Sequence, residues 1–518
     1  MKYKFIFSLF CIISFSNIFS SQAPATQWQK NYGGSLPEML PDIALTSDGG
    51  YILAGSSSST NGDVTGNHGL SDFWIVRTNS TGDILWQKSL GGSAGDAATS
   101  VRQTSDGGYI VAGTSSSNNG NVTGNHGGTD VWVVKLDSSG NLQWQKSLGG
   151  SNHEAAQSIR QTTDGGYIIA GFATSYDGDV MSGSAGYRDY WVIKLNATGI
   201  LQWEKTYGGG FDDFAYSIEQ TSDGGYIIGG YSTSIDNIVT GNHGSSDYWI
   251  IKLNGTGTLQ WQKSLGGSNA DKAYSVKQTS DGGYIVIGES ISNDGDVSGA
   301  HGNDDYWLVK LSSTGNLQWQ KTYGGSLYDR GRDVSQTADG GYIMTGVSFP
   351  VNIEGTTNIG ANDYLVVKTD ALGSIQWLQT YGGLQDDYAT SIKQTSDGGY
   401  ILCGYSSAIT ASSGNYDYWI IKLTGNQLNT HENNIKNNIS IYPNPAIDFV
   451  TISHLPNETT ISIYDMSGRK IFSKKYSEAK VSINTSQLTS GTYILQINDH
   501  EKTILSEKLI INKNTKYL

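Results

Sequence analysis

Short runs in which apolar and polar residues alternate, or in which most residues are apolar, recur through most of the chain. Each run is seven to ten residues long. In one unit, "AQSIRQT" and "GYIIAGFATS" flank the turn "TDGG", and "YWVIKLN" and "ILQWEKTY" flank "ATG". The period of two and the β-branched and aromatic residues predict strands, and Asp-Gly turns supply the positive φ of tight hairpins. Each unit therefore predicts four strands, and no long helix is expected.

The unit repeats with an almost constant period. The phrase DGGY returns seven times, at intervals of 58 or 59 residues, and begins at Asp48, Asp106, Asp164, Asp223, Asp281, Asp339 and Asp397. Seven four-stranded units of constant length fit a β-propeller better than a solenoid or a sandwich. The sequence therefore predicts an all-β fold, with a seven-bladed β-propeller over residues 26–423.

Two further phrases, WQK and DYW or variants of them, recur with the same period as DGGY and indicate how the ring of blades closes. A WQK phrase precedes the first DGGY, whereas the last DYW strand, at residues 417–423, has no WQK strand after it. We expect the first strand, which contains Trp28, to pair with residues 417–423 and complete the seventh blade. Such closure removes two open sheet edges.

The tryptophan of WQK lies in a segment that resembles a known motif. "KLDSSGNLQW" and "KLNATGILQW" are similar to the tryptophan-docking motif of the quinoprotein dehydrogenase type of propeller, in which an Asp or Asn, a Thr-Gly turn and a Trp bind each blade to its neighbour. The resemblance implies a packing role for Trp28, Trp86, Trp144, Trp203, Trp261, Trp319 and Trp377. It does not extend to the quinone, because the chain lacks the adjacent cysteine pair often seen near that cofactor. No such cofactor is expected.

The N-terminal residues differ in composition from the repeats. Two lysines precede an apolar run over residues 5–19, which is followed by small residues. This pattern predicts a signal peptide over residues 1–21, and no later stretch is long and apolar enough to cross a membrane. Removal of the peptide would leave Cys403 as the single cysteine, so no intrachain disulfide is expected.

The repeat stops before the C-terminal region. Residues 424–438 are polar and rich in asparagine, which predicts a linker. Residues 439–518 alternate as half-buried strands do and predict a small Ig-like β-sandwich. This stretch closely resembles the type A C-terminal sorting domain of Bacteroidetes proteins exported by the type IX secretion system. The resemblance rests on Tyr442, Pro443, Asn444, Pro445, the "YDMSG" turn at 464–468, "SGTYIL" at 490–495 and Lys508.

That resemblance has consequences for location and partners. It implies that the type IX machinery recognises the domain, exports the protein across the outer membrane and removes the domain. The mature protein would then be secreted or attached to the outer-membrane surface. A plain Ig-like adhesion module is the alternative, since a fold alone does not fix a function.

One acidic position recurs in all seven units, five residues after the first Gly of the "GG" that ends the fourth strand. Its members are Glu38, Asp96, Glu154, Asp213, Asp271, Asp329 and Asp387. They are expected at the entry to the first strand of each blade, nearest the axis. Each carboxylate could accept backbone N–H groups of its own turn, which is the favoured role. The ring could also bind an oxygen-seeking cation such as calcium, and the two roles are compatible.

Four histidines occupy one loop position in different blades, four residues before the DYW aspartate. They are His68, His126, His243 and His301. Equivalent points on packed sheets lie about 10 Å apart, which is too far for two of them to share a zinc ion. Turn stabilisation is therefore favoured over metal ligation, and the identity of any metal stays open.

The net charge and the differences between the repeats limit the possible functions. A net charge of −14 with 33 basic residues argues against nucleic acid as a partner. The symmetry breaks most in the sixth unit, where "SLYDRGRDVS" adds Arg330 and Arg332, which join the acids as candidate ligand-binding residues. Tyr328, Phe214 and Tyr388 lie beside those acids and could stack on sugars. We expect a protein that binds a glycan or protein ligand rather than an enzyme; a carbohydrate-active hydrolase or lyase is the alternative.

Overall fold

The structure is a computed structural model of the 518-residue chain. It describes residues 22–183, 186–349, 360–407, 415–425, 439–456, 458–465, 468–499 and 502–513. The chain divides into two compact units, Met1–Gly425 and Asn426–Leu518. Strands are the only regular elements in the described residues of both units. The predicted signal peptide at 1–21 lies outside the described residues, and so does most of the predicted linker at 424–438.

The first unit contains seven antiparallel four-stranded sheets, numbered 1 to 7 along the chain, with strands a to d. The a strands are β2 (Glu38–Leu45), β6 (Asp96–Gln103), β10 (Glu154–Gln161), β14 (Asp213–Gln220), β18 (Asp271–Gln278), β22 (Asp329–Gln336) and β26 (Asp387–Gln394). The b strands are β3 (Tyr51–Ser57), β7 (Tyr109–Ser115), β11 (Tyr167–Ala173), β15 (Tyr226–Ser232), β19 (Tyr284–Ser290), β23 (Tyr342–Ser348) and β27 (Tyr400–Ser406).

The two remaining strands of each sheet complete the a-b-c-d order. The c strands are β4 (Asp72–Thr78), β8 (Asp130–Leu136), β12 (Asp189–Leu195), β16 (Asp247–Leu253), β20 (Asp305–Leu311), β24 (Asp363–Thr369) and β28 (Asp417–Leu423). The d strands are β5 (Ile84–Leu90), β9 (Leu142–Leu148), β13 (Leu201–Tyr207), β17 (Leu259–Leu265), β21 (Leu317–Tyr323), β25 (Ile375–Tyr381) and, in sheet 7, β1 (Thr26–Tyr32).

The N-terminal strand therefore completes the last sheet. β1 pairs antiparallel with β28, with Trp28 as the register partner of Lys422. The predicted pairing of the first strand with residues 417–423 is confirmed. It covers the edge that β28 would otherwise expose.

The recurrent DGGY phrase builds the turn between strands a and b. In sheet 2, Gly107 has a φ of 80°, a left-handed value that favours glycine. Asp106 accepts hydrogen bonds from the Gly108 backbone N–H at 3.0 Å and from Lys135 Nζ of strand c at 2.9 Å. Because Lys135 is only 3% exposed, the turn aspartate compensates a buried charge. A Lys or Arg of strand c pairs with the turn aspartate in the other six sheets as well.

Each tryptophan of the d strands lies against the following sheet. The Trp86 ring of sheet 1 contacts Tyr109 of sheet 2, with 5.6 Å between ring centroids. Trp28 of sheet 7 contacts Tyr51 of sheet 1 at 5.9 Å, so the last and first sheets pack as the other neighbours do. The remaining pairs are Trp144–Tyr167, Trp203–Tyr226, Trp261–Tyr284, Trp319–Tyr342 and Trp377–Tyr400.

Every a strand, which is an edge strand of its sheet, carries a β-bulge. In sheet 2 the register with strand b shifts between Ala98 and Ser100, so Thr99 is the extra residue. The equivalent shift occurs in the other six sheets. The bulge residues are Leu40 and Pro41 in sheet 1, then Thr99, Gln157, Tyr216, Tyr274, Arg332 and Thr390.

The C-terminal unit contains two antiparallel sheets that share one core. One sheet has the order β29 (Ser440–Tyr442), β30 (Phe449–Ser453), β33 (Lys480–Asn484); the other has the order β32 (Lys470–Tyr476), β31 (Thr459–Tyr464), β34 (Gly491–Asp499), β35 (Lys502–Ile511). Val450 of the first sheet and Ile461 of the second belong to the same apolar cluster. Asn444 joins the two ends of the unit, since it donates to the Lys508 carbonyl at 2.7 Å and accepts from the Ile510 N–H at 2.9 Å.

Candidate functional site

The seven recurrent carboxylates stand at the start of the a strands and are buried. Asp96 accepts hydrogen bonds from the Gly92 backbone N–H at 2.8 Å and from the Ser117 hydroxyl at 2.9 Å. Glu38 accepts the equivalent backbone bond from Gly34 at 2.9 Å. The second glycine of the preceding "GG" donates to the carboxylate in all seven sheets. The carboxylates therefore hold the turn that leads into strand a.

Each of these carboxylates also lies near a second buried acid. It is the aspartate of the DYW phrase, which begins strand c of the preceding sheet. A Cβ on Gly266 would lie 2.6 Å from Asp271 Oδ2 and 2.7 Å from Asp247 Oδ1, so only glycine fits between them. Burial, together with the neighbouring carboxylate, raises the pKa of Asp213, Asp271 and Asp329 to about 6. No group of three or more His, Cys, Asp or Glu side chains among the described residues is arranged to hold a metal ion.

The loop histidines contact the same DYW aspartates. His68 donates its backbone N–H to Asp72 at 3.0 Å, and its Nδ1 lies 2.6 Å from the same carboxylate oxygen. His126 and His243 repeat both contacts, and the Nδ1 of His301 lies 3.6 Å from its aspartate. These contacts order the loop between strands b and c, which is the turn role favoured by the sequence.

The a strands of all seven sheets surround one cavity of about 320 Å³, which we call the central cavity. Its volume lies in the range of small-molecule sites. All the bulge residues line it, and five a strands add the hydroxyl groups of Ser100, Ser158, Ser217, Ser275 and Ser391. The β-bulge is thus the element that turns a side chain of each edge strand toward the cavity.

The central cavity carries an excess of positive charge. Five cationic side chains and two carboxylates line it: Arg102, Arg160, Lys277, Arg332, Lys393, Asp42 and Asp333. This excess contrasts with the net charge of −14 of the chain. Because the surrounding protein screens charges less than water does, these side chains act strongly on any ligand inside.

Both carboxylates of the cavity are engaged with neighbouring cations. Asp42 accepts hydrogen bonds from the Arg102 guanidinium. Asp333 accepts from Lys393 Nζ, and from the Ser275 hydroxyl at 3.0 Å. Two of the five cations are therefore neutralised within the protein.

Arg160 and Lys277 lack a carboxylate partner of this kind. Arg160 Nη1 donates to the Ile159 carbonyl at 2.8 Å, and Lys277 Nζ makes neither a hydrogen bond nor a salt bridge with any residue that the structure describes. Glu219, on the strand between them, attracts both Arg160 and Lys277, and its carboxylate also accepts a hydrogen bond from the Gln278 N–H at 2.9 Å. Burial, to which a neighbouring cation adds, lowers the pKa of Arg160 to about 10 and that of Lys277 to about 8.

Tyrosines form another part of the cavity wall. Tyr216 and Tyr274 meet edge to face, with 4.8 Å between ring centroids, and the Arg332 guanidinium lies 4.0 Å from the Tyr274 centroid. In sheet 7, Tyr388 and Tyr405 stack at 5.1 Å. All four tyrosines line the cavity. Aromatic walls with a few well-placed polar groups are typical of small-molecule sites.

The structure separates the site residues predicted from the sequence. Arg332 is a bulge residue and lines the central cavity, whereas Arg330 forms ion pairs with Asp304 at 2.7 Å and Glu289 at 3.2 Å. Tyr388 also lines the cavity. The recurrent carboxylates are not among the described residues that line it; they lie between neighbouring sheets instead.

Sequence reasoning missed most of the cavity charges. Asp42, Arg102, Arg160, Lys277 and Lys393 occupy positions of strand a that differ between repeats. That variation is the signal that could have found them. Positions that pack sheet against sheet are nearly constant along the repeats, whereas the cavity positions differ, apart from the serine after the bulge that recurs in five sheets.

The C-terminal region matches a known family. Residues 440–512 match the model of the secretion system C-terminal sorting domain. This domain indicates export through the type IX secretion system, to the medium or to the outer-membrane surface. It implies interaction with that machinery. In the described part of the chain, no helix has the length and apolar character needed to span a membrane.

Two curated proteins are similar in sequence. The regulatory protein FlaEY of Caulobacter vibrioides is 23% identical over 416 residues, which cover 71% of this chain and 43% of that protein. An endo-acting ulvan lyase of Formosa agariphila is 34% identical over 87 residues, which cover 16% of this chain and 17% of the lyase. The chain therefore spans less than half the length of the curated relatives it matches.

A solved structure is similar at a low level. PorZ, a surface component of the type IX secretion system of Porphyromonas gingivalis, aligns over 91% of this chain and 59% of its own, with 12% sequence identity and a TM-score of 0.40. At these values the likeness carries no argument about function.

Proposed function

We propose that this protein is an exported, seven-bladed β-propeller that binds a carbohydrate in its central cavity. The observation that carries the proposal is the cavity itself, whose bulge residues differ from sheet to sheet while the packing residues repeat. The sorting domain at residues 440–512 supports the exported location.

Contacts between the last and first sheets support the propeller. Strand β2 of sheet 1 packs against β26 and β27 of sheet 7, and Trp28 reaches Tyr51 across the same junction. The tryptophan contacts also support the resemblance to the quinoprotein dehydrogenase type of blade, without its quinone chemistry. We place the propeller at residues 26–423, a linker at 424–438 and an Ig-like sorting domain at 439–518.

The lining of the cavity supports a carbohydrate rather than a protein ligand. Serine hydroxyls, guanidinium groups and tyrosines suit a ligand that combines many hydroxyl groups with apolar ring faces. A cavity of about 320 Å³ has the volume of a small-molecule site, whereas a protein partner binds to a surface and buries about 800 Å² of it.

A glycan array probed with the full chain tests this proposal. A retained glycan should bind the Tyr274→Ala variant at least tenfold more weakly in calorimetry, because the ring forms part of the cavity wall. The matched control is Tyr328→Ala, since Tyr328 is 44% exposed and lies outside the described lining. If no glycan is retained, or if both variants bind as the parent does, the proposal is wrong.

Lys277 favours a carbohydrate lyase or hydrolase as a second candidate. Lys277 lines the cavity, and a pKa of about 8 would leave part of its amine neutral and able to accept a proton at neutral pH. Incubation of the full chain with each retained glycan, followed by mass spectrometry, separates the two candidates. New product that the Lys277→Met variant does not form would favour the enzyme.

Export has its own test. A variant that ends at Asn438 should stay in the periplasm of a host with type IX secretion, because residues 440–512 carry the sorting domain. The full chain should reach the medium or the cell surface of the same host. Equal export of both proteins would contradict the role of this domain.

A further inference from the structure

More cationic side chains than carboxylates line the central cavity. Arg102 and Lys393 pair with Asp42 and Asp333, and Arg332 lies over the ring of Tyr274. Arg160 of sheet 3 and Lys277 of sheet 5 line the same cavity and form no salt bridge with the residues that the structure describes. Glu219 of sheet 4, at the equivalent strand position between them, attracts both cations.

Two cations and one carboxylate leave an excess of positive charge on this part of the cavity wall. Burial removes water from each charge, and an unpaired buried charge is expensive unless an opposite charge or a hydrogen-bond acceptor faces it. At the equivalent strand position, three of the seven repeats carry Ala44, Glu219 or Ser335 and the other four carry Lys or Arg, so the fold does not require a cation in every sheet. A bound ligand that brings negative charge would compensate both side chains.

We propose that Arg160 and Lys277 bind an anionic group of a saccharide, a carboxylate or a sulfate ester, while the tyrosines of the cavity contact its ring. This inference rests on the proposed function, because it names the class of carbohydrate that the same cavity takes. Arg160 can donate two parallel hydrogen bonds to such a group, and Lys277 supplies a point charge beside it. Asp42 and Asp333 pair with Arg102 and Lys393, whereas Arg160 and Lys277 form no such pair with the described residues and can bind the anionic group.

Calorimetry with four probes on the full chain tests the inference. The probes are a galacturonate trisaccharide, a sulfated galactose trisaccharide, a neutral galactose trisaccharide and inorganic sulfate. At least one charged saccharide should bind tenfold or more tightly than the neutral one, and more tightly than inorganic sulfate. Its affinity should fall as salt is added, because screening weakens the ionic contact.

Variants locate the anionic group. Lys277→Met should weaken the charged saccharide at least tenfold and the neutral one much less, while Lys277→Arg should restore most of the loss. The control is Lys146→Met, which changes an exposed lysine on strand d of sheet 2. Circular dichroism melts show that each variant is folded.

The possible outcomes separate the two levels of the proposal. Equal affinity for charged and neutral saccharides would overturn the anionic site and leave carbohydrate binding intact. Binding of inorganic sulfate as tightly as the sulfated saccharide would also overturn it, because the saccharide would then add nothing. Absence of binding to every saccharide, on the array as well as in calorimetry, would overturn the proposed function itself.

Discussion

The outer strands of the seven sheets and the inner strands around the central cavity obey different constraints. Every c strand carries a Lys or Arg that pairs with the turn aspartate of its own sheet, and every d strand carries a tryptophan that packs on the next sheet. The bulge residues of the a strands range from Thr99 to Tyr216 and Arg332. Packing positions repeat because each sheet meets the same environment, whereas the cavity positions meet a shared space and are free to differ.

The largest expected effect is a fall in Tm on deletion of strand β1, which completes sheet 7. Deletion of residues 26–32 removes strand β1 and with it the contacts of Trp28 and Tyr32. Truncation of one buried aromatic side chain costs about 3–5 kcal/mol, so the loss of a whole strand should lower the Tm more than any substitution does. Calorimetric melts of the full chain and of the single substitution Trp28→Ala give the comparison. An unchanged Tm in the deletion variant would contradict closure through β1.

Two lysines of sheet 5 should respond in opposite directions. Lys310 is 4% exposed and lies 2.9 Å from Asp281, so Lys310→Met should destabilise the protein by about 1–3 kcal/mol. Lys277 faces the cavity without such a partner, and burial lowers its pKa to about 8. Lys277→Met should therefore stabilise the unliganded protein, by about 1–3 kcal/mol at pH 7.

Urea unfolding of both variants at pH 7 measures these effects. The gain from Lys277→Met should shrink as the pH rises through 8 toward 10, because the folded protein releases the lysine proton first and regains that stability. A loss of stability in Lys277→Met would mean that the lysine serves the fold and would remove the contrast between cavity and outer layer.

The sequence predicts the strands and the packing of the c and d strands better than it predicts the residues of the central cavity. The period of 58 or 59 residues, the tryptophan phrase and the unpaired first strand lead to the strands, to the Trp86–Tyr109 type of contact and to the pairing of β1 with β28. These features depend on local spacing, which a sequence states directly. They are also repeated seven times, so that chance matches are averaged out.

The cavity could not be predicted in the same way, because a β-bulge alters which residues share a face. After the bulge at Thr99, both Ser100 and Val101 are buried, against the simple alternation of a strand. The position of Arg102 relative to the cavity follows from that shift and not from the period of two. Pairs such as Lys393 with Asp333 join different sheets and have no local signal.

A smaller effect is expected on the pH dependence of stability, which should differ between the carboxylates that lie between sheets and those in the turns. Burial, with Asp247 nearby, raises the pKa of Asp271 to about 6. The unfolded chain loses this proton near pH 4, so the stability that the group contributes is complete below pH 4 and is lost as the pH rises to about 6. Relative to the parent, Asp271→Asn should gain about 1–2 kcal/mol between pH 4 and pH 7.

The matched variant is Asp281→Asn. Although burial opposes the shift, hydrogen bonds from Thr279 and Lys310 lower the pKa of Asp281 to about 2. Its contribution is present above pH 4 and is lost as the pH falls toward 2, so this variant should approach the parent in acid. Denaturant melts from pH 2 to pH 7 measure both trends. Parallel curves for the two variants would contradict the assignment.

The smallest expected effect is that of calcium. Two carboxylates of neighbouring sheets converge at the same glycine, as Asp247 and Asp271 do at Gly266, and the repulsion between them is the reason to expect a cation there. Carboxylates are ligands that calcium prefers, and a concentration of about five times the Kd would stabilise the folded state by about 1 kcal/mol. Calcium should therefore raise the Tm slightly, and joint replacement of Asp213, Asp271 and Asp329 by Asn should abolish the increment. If the Tm is the same in calcium and in chelator, the backbone N–H groups of the turns already compensate these carboxylates and no cation binds.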